Sequence, residues 1–361
     1  MSFRSICVLA FMVVILGTLF CYKGLSKTSK CTIGIIQTAS HPALDQAREG
    51  FMAEIRRELQ NVDFVVQNAE GSLSQAQGIA ESFHTHKNIN AIFAIGTPAV
   101  QAAAKAEKQK PIFIAAVSDP ESLGIIHPGT NICGTTDQVN TDSQAELILN
   151  LVPTVQTIAI LYNPGENNSC IMVKKMQRSL EQRGLKNVTI GVHAESEIAQ
   201  AVAAAARKGD VILIPNDNLL AGAMTLVAQE ALKKKCPLFV SDIALVEKGA
   251  VAAQGAEYSD LGKNTAEMAR QVLSLGKTPE DVGIVHPTNP KTILNKRVLD
   301  HLQISNNLER SVRRNPGPSE AGQDELSQLG RKASLDASHP QTDEESPPLE
   351  GEVLQGTGHV Q

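Results

Sequence analysis

No tryptophan occurs in the 361 residues, and aromatic residues make up only 3% of them. The protein therefore has no indole chromophore of its own. Enzyme signatures are missing as well. No GxGxxG follows the first apolar run, and neither a GxxxxGKS/GxxxxGKT phosphate loop nor a GxSxG elbow occurs, so dinucleotide, P-loop and α/β-hydrolase chemistry have no sequence support. A lone Asp or His without a partner does not make a general base. The six cysteines form no CxxC pair and no close cysteine–histidine cluster, which argues against zinc. Cys31, Cys133, Cys170 and Cys236 stand mostly at the starts of predicted elements and read as buried free thiols. His84 and His86 have no acidic or cysteine neighbour to complete a metal site. No metal or cofactor is implied. The sequons at Asn167 and Asn187 are chance matches unless the source glycosylates them.

A basic excess is also absent. The formal charge is −5, from 33 Lys+Arg and 38 Asp+Glu, and the last 57 residues account for all of it. A body without a basic stripe argues against nucleic acid as a partner. No apolar run reaches the length of about 20 residues that a membrane span needs. The longest, Ile6–Phe20, follows Arg4 and reads as the core of a secretory signal covering residues 1–30. Cys21 directly follows the run and suggests lipidation, but Thr18-Leu19-Phe20 lacks the small residue usual before a lipoprotein cysteine. A plain cleaved signal or an uncleaved anchor is the alternative, and in each case the body is exported, to the periplasm or anchored at the cell envelope. Residues 305–361 are acidic, proline-rich and free of aromatics, and are expected to be disordered.

What is present is an alternation. TIGIIQ (Thr32–Gln37), DFVVQ (Asp63–Gln67), AIFAI (Ala91–Ile95) and Pro111–Val117 are each apolar, and helical patterns separate them. A second series repeats the order about 120 residues later: TIAILY (Thr157–Tyr162), Val188–Val192, DVILI (Asp210–Ile214) and Pro237–Val240. Such β-branched runs between helices indicate parallel sheets buried on both faces. Two similar α/β lobes follow, with the chain crossing between them near Thr135–Val139, Leu245–Ala250 and Asp281–Pro287. The expected division is 31–139 with 250–280 for the first lobe and 140–249 with 281–304 for the second.

In doubly wound sheets ligands bind beyond the carboxyl ends of the strands. The polar residues there are the candidates: Gln37 and His41 after the first strand, Thr97 after the third, Ser118 and Asp119 after the fourth, and Asp137 at the first crossing. The second lobe adds Asn163 and Asn168, then Asp217, then Asp242. Thr97 reads as a helix N-cap before Pro98, beside amides that favour an anion. Hydroxyls and a helix start in one lobe, facing carboxylates in the other, would match a zwitterion.

The stretches IGIIQTASHPALDQAREGFMAEI (Ile33–Ile55), AIGTPAVQAAA (Ala94–Ala104), AAVSDPESLGII (Ala115–Ile126), NICGTTD (Asn131–Asp137), ILYNPGENNS (Ile160–Ser169), VILIPNDNLLAGA (Val211–Ala223) and VEKGAVAAQGAEYSDLGKNTAEMA (Val246–Ala269) closely resemble a family of ABC-transporter substrate-binding proteins that take aromatic amino acids. The resemblance spans about residues 31–304. It implies an α/β chain of the type I periplasmic-binding-protein fold, two Rossmann-like lobes joined by a three-segment hinge. It further implies a non-enzymatic solute carrier that delivers an amino acid to a separate permease and ATPase. By the same resemblance Thr97 and Ser118 would hold the ligand carboxylate, and Asp217, or else Asp242, its ammonium. A sensor of the same fold, feeding a signalling partner, is the alternative. The acidic tail departs from the family pattern, and the eight aromatics of the body leave an aromatic ligand few rings to stack on.

Overall fold

The computed structural model describes residues 30–306, apart from 60 and 289. The proposed signal, Cys21 and nearly all of the acidic tail lie outside the described residues. Among those described, no helix is long and apolar enough to cross a membrane.

Two six-stranded sheets form, and their orders repeat one another. The strands of the first are β1 (Cys31–Gln37), β2 (Val62–Asn68), β3 (Ala91–Ile95), β4 (Ile112–Val117), β5 (Ile132–Thr136) and β11 (Ile284–Val285), in the order β11-β5-β4-β3-β1-β2. Those of the second are β6 (Thr157–Tyr162), β7 (Lys186–Gly191), β8 (Val211–Ile214), β9 (Leu238–Val240), β10 (Ala252–Gly255) and β12 (Lys291–Leu294), in the order β12-β10-β9-β8-β6-β7. Every pairing is parallel except β10 with β12. Strands β3, β4, β5, β8 and β9 are buried along their whole length, as continuous apolar runs require, whereas the edge strands β2 and β7 are partly exposed.

Helices cover both faces. On one face of the first sheet, Ile33, Ile35, Phe93 and Phe113 meet Phe51 of the helix Pro42–Glu58 and Leu261 and Ala269 of the helix Tyr258–Leu273. Phe51 and Phe93 stack with ring centroids 3.9 Å apart. Each such fully buried ring contributes about 1.5–3 kcal/mol. The opposite face packs Ile36, Ile92 and Ile114 against the helices Leu73–Thr85 and Thr97–Ala106. In the second sheet, Ile212 and Ile214 pack with Val202 and Val227 of the helices Ile198–Lys208 and Met224–Lys233. Five of the six phenylalanines of residues 31–304 are thereby spent on the core, as expected from their positions in strands and helix faces. Cys133 and Cys236 are buried and Cys31 and Cys170 partly so, all four as free thiols. Burial pushes the Cys133 thiol up to about 12.

Two crossings differ from the expectation. Ala252–Gly255, read as part of the first lobe, extends the second sheet: Ala252 and Ala253 align with Phe239 and Val240 of β9. The chain changes lobe after this strand, where the helix Tyr258–Leu273 docks on Pro42–Glu58. Ile284–Val285, read as part of the second lobe, pairs with Gly134 and Thr135 of the first sheet. The crossings therefore fall at residues 137–140, at 256–257 and between β11 and β12. The sequence reading also lacked β5 and the helix Thr141–Leu151. The latter is capped by Asn140, whose Oδ1 accepts from Asp142 N (2.9 Å) and Ser143 N (3.1 Å), ahead of an apolar stripe of Ala145, Leu147, Ile148 and Leu151.

Candidate functional site

Both sheets reverse winding direction at corresponding places, between β1 and β3 and between β6 and β8. These are the switch points where loops diverge and a crevice opens. The two crevices face each other, and the lobes close over a cavity of about 20 Å³. That is room for about one water molecule. Residues of both lobes line it, and none is Lys or Arg.

Seven of the ten candidates line the cavity: His41, Thr97, Ser118, Asp137, Asn168, Asp217 and Asp242. Three do not. Gln37 is buried beneath, its Nε2 donating to Ala39 O (2.7 Å) and Asp45 Oδ1 (2.8 Å) while its Oε1 accepts from Arg48 (2.7 Å). Asp119 turns to Lys175 Nζ of the other lobe at 2.5 Å and accepts from Ser122 N at 3.0 Å. Lys175 and Ser122 hold its carboxyl below the usual range despite burial. The Asn163 side chain turns to Gly165 N (2.9 Å) and Glu166 Oε1 (3.3 Å), which closes its own turn.

Thr97 is not the N-cap that the sequence suggests. Gly96 is, at φ +86°, where an added Cβ would lie 2.7 Å from Thr38 Oγ1. Thr38 Oγ1 donates to Ile95 O (2.9 Å) and accepts from Ala99 N (3.2 Å), so one amide expected to serve an anion is already used. Thr97, in the first turn, is left facing the cavity. Ala116, also in the lining, has φ +59°, beside an irregularity in the β4–β5 pairing.

Asp217 is a structural cap. It accepts from Asn163 N (2.5 Å), Leu220 N (2.9 Å) and the Ser169 hydroxyl. Burial and the nearby Glu166 push its carboxyl up to about 7. Glu166 in turn braces the next loop, accepting from Asn218 N (3.1 Å), Leu219 N (3.1 Å) and Asn168 Nδ2 (3.2 Å). Asp242 has one donor, Ala244 N at 2.8 Å, and burial raises it to about 7, helped by Asp137 and Glu257. Asp137 Oδ2 accepts from Asn216 Nδ2 and Tyr258 Oη, each at 2.9 Å. Burial raises the Asp137 carboxyl and the Tyr258 phenol alike.

Hydrogen bonds across the cavity tie the lobes together. Asn216 reaches Asp137 and, at 3.4 Å, Ser118, while His41 Nε2 meets Asn218 Oδ1 at 3.2 Å. The sequence reading did not single out Asn216 or Asn218 beside Asp217, and it counted Tyr258 only among the eight aromatics of the body. Tyr258 is the one Phe, Tyr or Trp side chain in the lining among the described residues.

The family model for ABC transporter substrate binding protein matches residues 32–314. A tyrosine-binding protein of Clostridioides difficile is 34% identical over 287 residues, which are 77% of this chain and 82% of that protein. Among solved structures, an ABC domain from Streptococcus pneumoniae in complex with L-Trp is 32% identical, with a TM-score of 0.73 over 77% of this chain and 96% of that one. The ligand-free, open structure of a substrate-binding protein with adhesive properties from Clostridium difficile is 36% identical yet superposes less well, with a TM-score of 0.59 over 76% and 95%.

Proposed function

Because the chain belongs to the ABC transporter substrate-binding protein family, we propose that it is the extracytoplasmic receptor of an importer that captures an aromatic amino acid between its lobes and delivers it to a permease. The observation that carries this reading is the cavity at the paired switch points, where one lobe brings hydroxyls and a helix start and both bring carboxylates. Thr97, Ser118 and the start of the helix Thr97–Ala106 suit a ligand carboxylate. The absence of Lys and Arg from the lining, and the presence there of Asp137 and Asp242, suit a cationic group opposite.

The tyrosine-binding relative and the tryptophan complex support an aromatic side chain. The better superposition on that complex than on the more similar open structure fits lobes drawn together, the state that a ligand selects. A cavity of about 20 Å³ does not admit an amino acid, so entry requires the lobes to part along the three crossings. Tyr258 would then offer its ring and Leu44 and Leu245 their apolar surface. Binding alone suffices for this role, and no covalent step is needed. Delivery requires export, for which residues 1–30 supply a secretory signal, with or without lipidation at Cys21.

Thermal unfolding of the protein against the twenty amino acids at millimolar concentration tests the reading. L-Tyrosine, L-tryptophan or L-phenylalanine is expected to raise the midpoint, since a ligand at free concentration c, bound only by the native state, stabilises it by RT ln(1 + c/Kd). If none of the twenty does so, the ligand class is wrong.

A further inference from the structure

Among the described residues, four buried side-chain polar atoms lack a hydrogen-bond partner: His41 Nδ1, Asp137 Oδ1, Asn168 Oδ1 and Asn216 Oδ1. All four residues line the same cavity. Buried polar groups are nearly always paired, so four orphans in one place call for an explanation.

Their chemical sense is fixed by the bonds that their other ends make. Asn216 Nδ2 donates to the Asp137 carboxylate, and Asn168 Nδ2 to Asn216 O (2.9 Å) and Glu166 Oε2. Each amide nitrogen thus faces oxygens that accept, which leaves each amide oxygen as the orphan. Asn218 Nδ2 donates to Glu166 Oε2 (2.5 Å), so Asn218 Oδ1 accepts from His41 Nε2. Burial keeps His41 neutral, and with Nε2 protonated its Nδ1 is an acceptor. The four orphans are therefore all acceptors, and the donors beside them are the hydroxyls of Thr97 and Ser118. A water molecule donates two hydrogen bonds and a hydroxyl one. A primary ammonium donates three and carries the charge that a buried carboxylate lacks.

We infer that Asp137, Asn168 and Asn216 together receive the ligand's ammonium group, with Asp137 as its counter-charge in place of Asp217. The inference rests on the reading of the ligand as an amino acid and assigns its recognition to particular atoms. Both oxygens of Asp217 are occupied by donors of its own lobe. Asp137 keeps Oδ1 unspent, while Tyr258 and Asn216 hold Oδ2 in place. Asn216 and Asn168 belong to the second lobe and Asp137 to the first crossing, so one ammonium bound here spans the cleft and favours closure. The hydrogen bonds that chain Asp137 to Asn216 and Asn216 to Asn168 set the three acceptors side by side.

The test compares each amino acid with its analogue lacking only the amino group, using the full chain: L-tyrosine against 3-(4-hydroxyphenyl)propionate, and L-tryptophan against indole-3-propionate. The wild type is expected to prefer the amino acid by about 100-fold or more, the range for a desolvated charge pair. Asp137→Asn should erase most of that preference by weakening the amino acid and not the analogue. Asn168→Leu should reduce it by roughly tenfold, the worth of one hydrogen bond to a charge. Asp217→Asn should leave it standing. Equal binding of both members of a pair by the wild type, or a full preference surviving in Asp137→Asn, overturns the inference. So does a preference lost in Asp217→Asn alone. Should Asp137→Asn show no cooperative unfolding, the wild-type and Asn168→Leu comparisons still decide. If neither amino acid nor analogue binds the wild type, the amino-acid reading itself falls, and this inference with it.

Discussion

Asp242 is buried with a single backbone donor, and its carboxyl is pushed up to about 7. An acid whose folded pKa exceeds its unfolded value keeps its proton in the native state across that interval, so stability falls as pH rises from about 4 to about 7. Asp242→Asn mimics the protonated form. Its melting temperature is expected to gain on the wild type as pH rises from about 5 to about 8, which calorimetry at several pH values checks. Using the difference between the two proteins cancels His41, whose lowered pKa gives the opposite trend below about 6.5 in both. Asp217 makes a different prediction. As the cap of the helix Asn218–Gly222 and the acceptor for Asn163 N, it is structural, and Asp217→Ala should cost about 1–2 kcal/mol in denaturant unfolding. Position after a strand made Thr97, Ser118, Asp217 and Asp242 legible in the sequence. Asn216 and Tyr258 were not, because their importance arises from bonds to Asp137, 79 and 121 residues away. Gln37 and Asp119 were misleading for the opposite reason: neighbours on helices, Arg48 and Lys175, draw them out of the cavity.

Among elements, the helix Tyr258–Leu273 depends on two glycines. A Cβ on Gly262 would lie 2.0 Å from Ala47 O, and one on Gly50 would lie 2.3 Å from Ser259 O. The backbones of this helix and Pro42–Glu58 approach too closely for any side chain there. Gly262→Val should therefore destabilise the protein by at least the 1–3 kcal/mol order of an overpacked core, seen as a lower denaturant midpoint. The pair Lys175–Asp119 joins the lobes at the cleft rim. Because Lys175 is about one-third exposed, Lys175→Met should speed ligand release only about 2–5-fold, an effect that stopped-flow kinetics would find diminished at high salt. Alternation of apolar runs and helices sufficed to reveal two similar α/β lobes, though not β5. It did not reveal which sheet β10 and β11 join. Ala252–Gly255 and Ile284–Val285 are short and carry no mark of a partner, so their placement is decided by packing after the lobes exist.

At the scale of the whole molecule, two lobes with the same strand order meet across three crossings and enclose polar groups that neither lobe alone would bury. An interface held by Asn216–Asp137, His41–Asn218 and Lys175–Asp119 opens at modest cost, and a ligand that replaces those contacts with better ones selects the closed form. Scattering from the protein in solution is expected to show a smaller radius of gyration on adding L-tyrosine or L-tryptophan, with no change on adding indole-3-propionate. The most direct measurement uses the missing tryptophan. With no indole in the chain, the emission of added L-tryptophan reports its own binding. Titration of the full-length protein should give a saturable shift at one ligand per chain, reversed by excess L-tyrosine. Emission that stays that of free tryptophan up to millimolar protein, with no thermal stabilisation by L-tyrosine or L-phenylalanine either, would contradict the account.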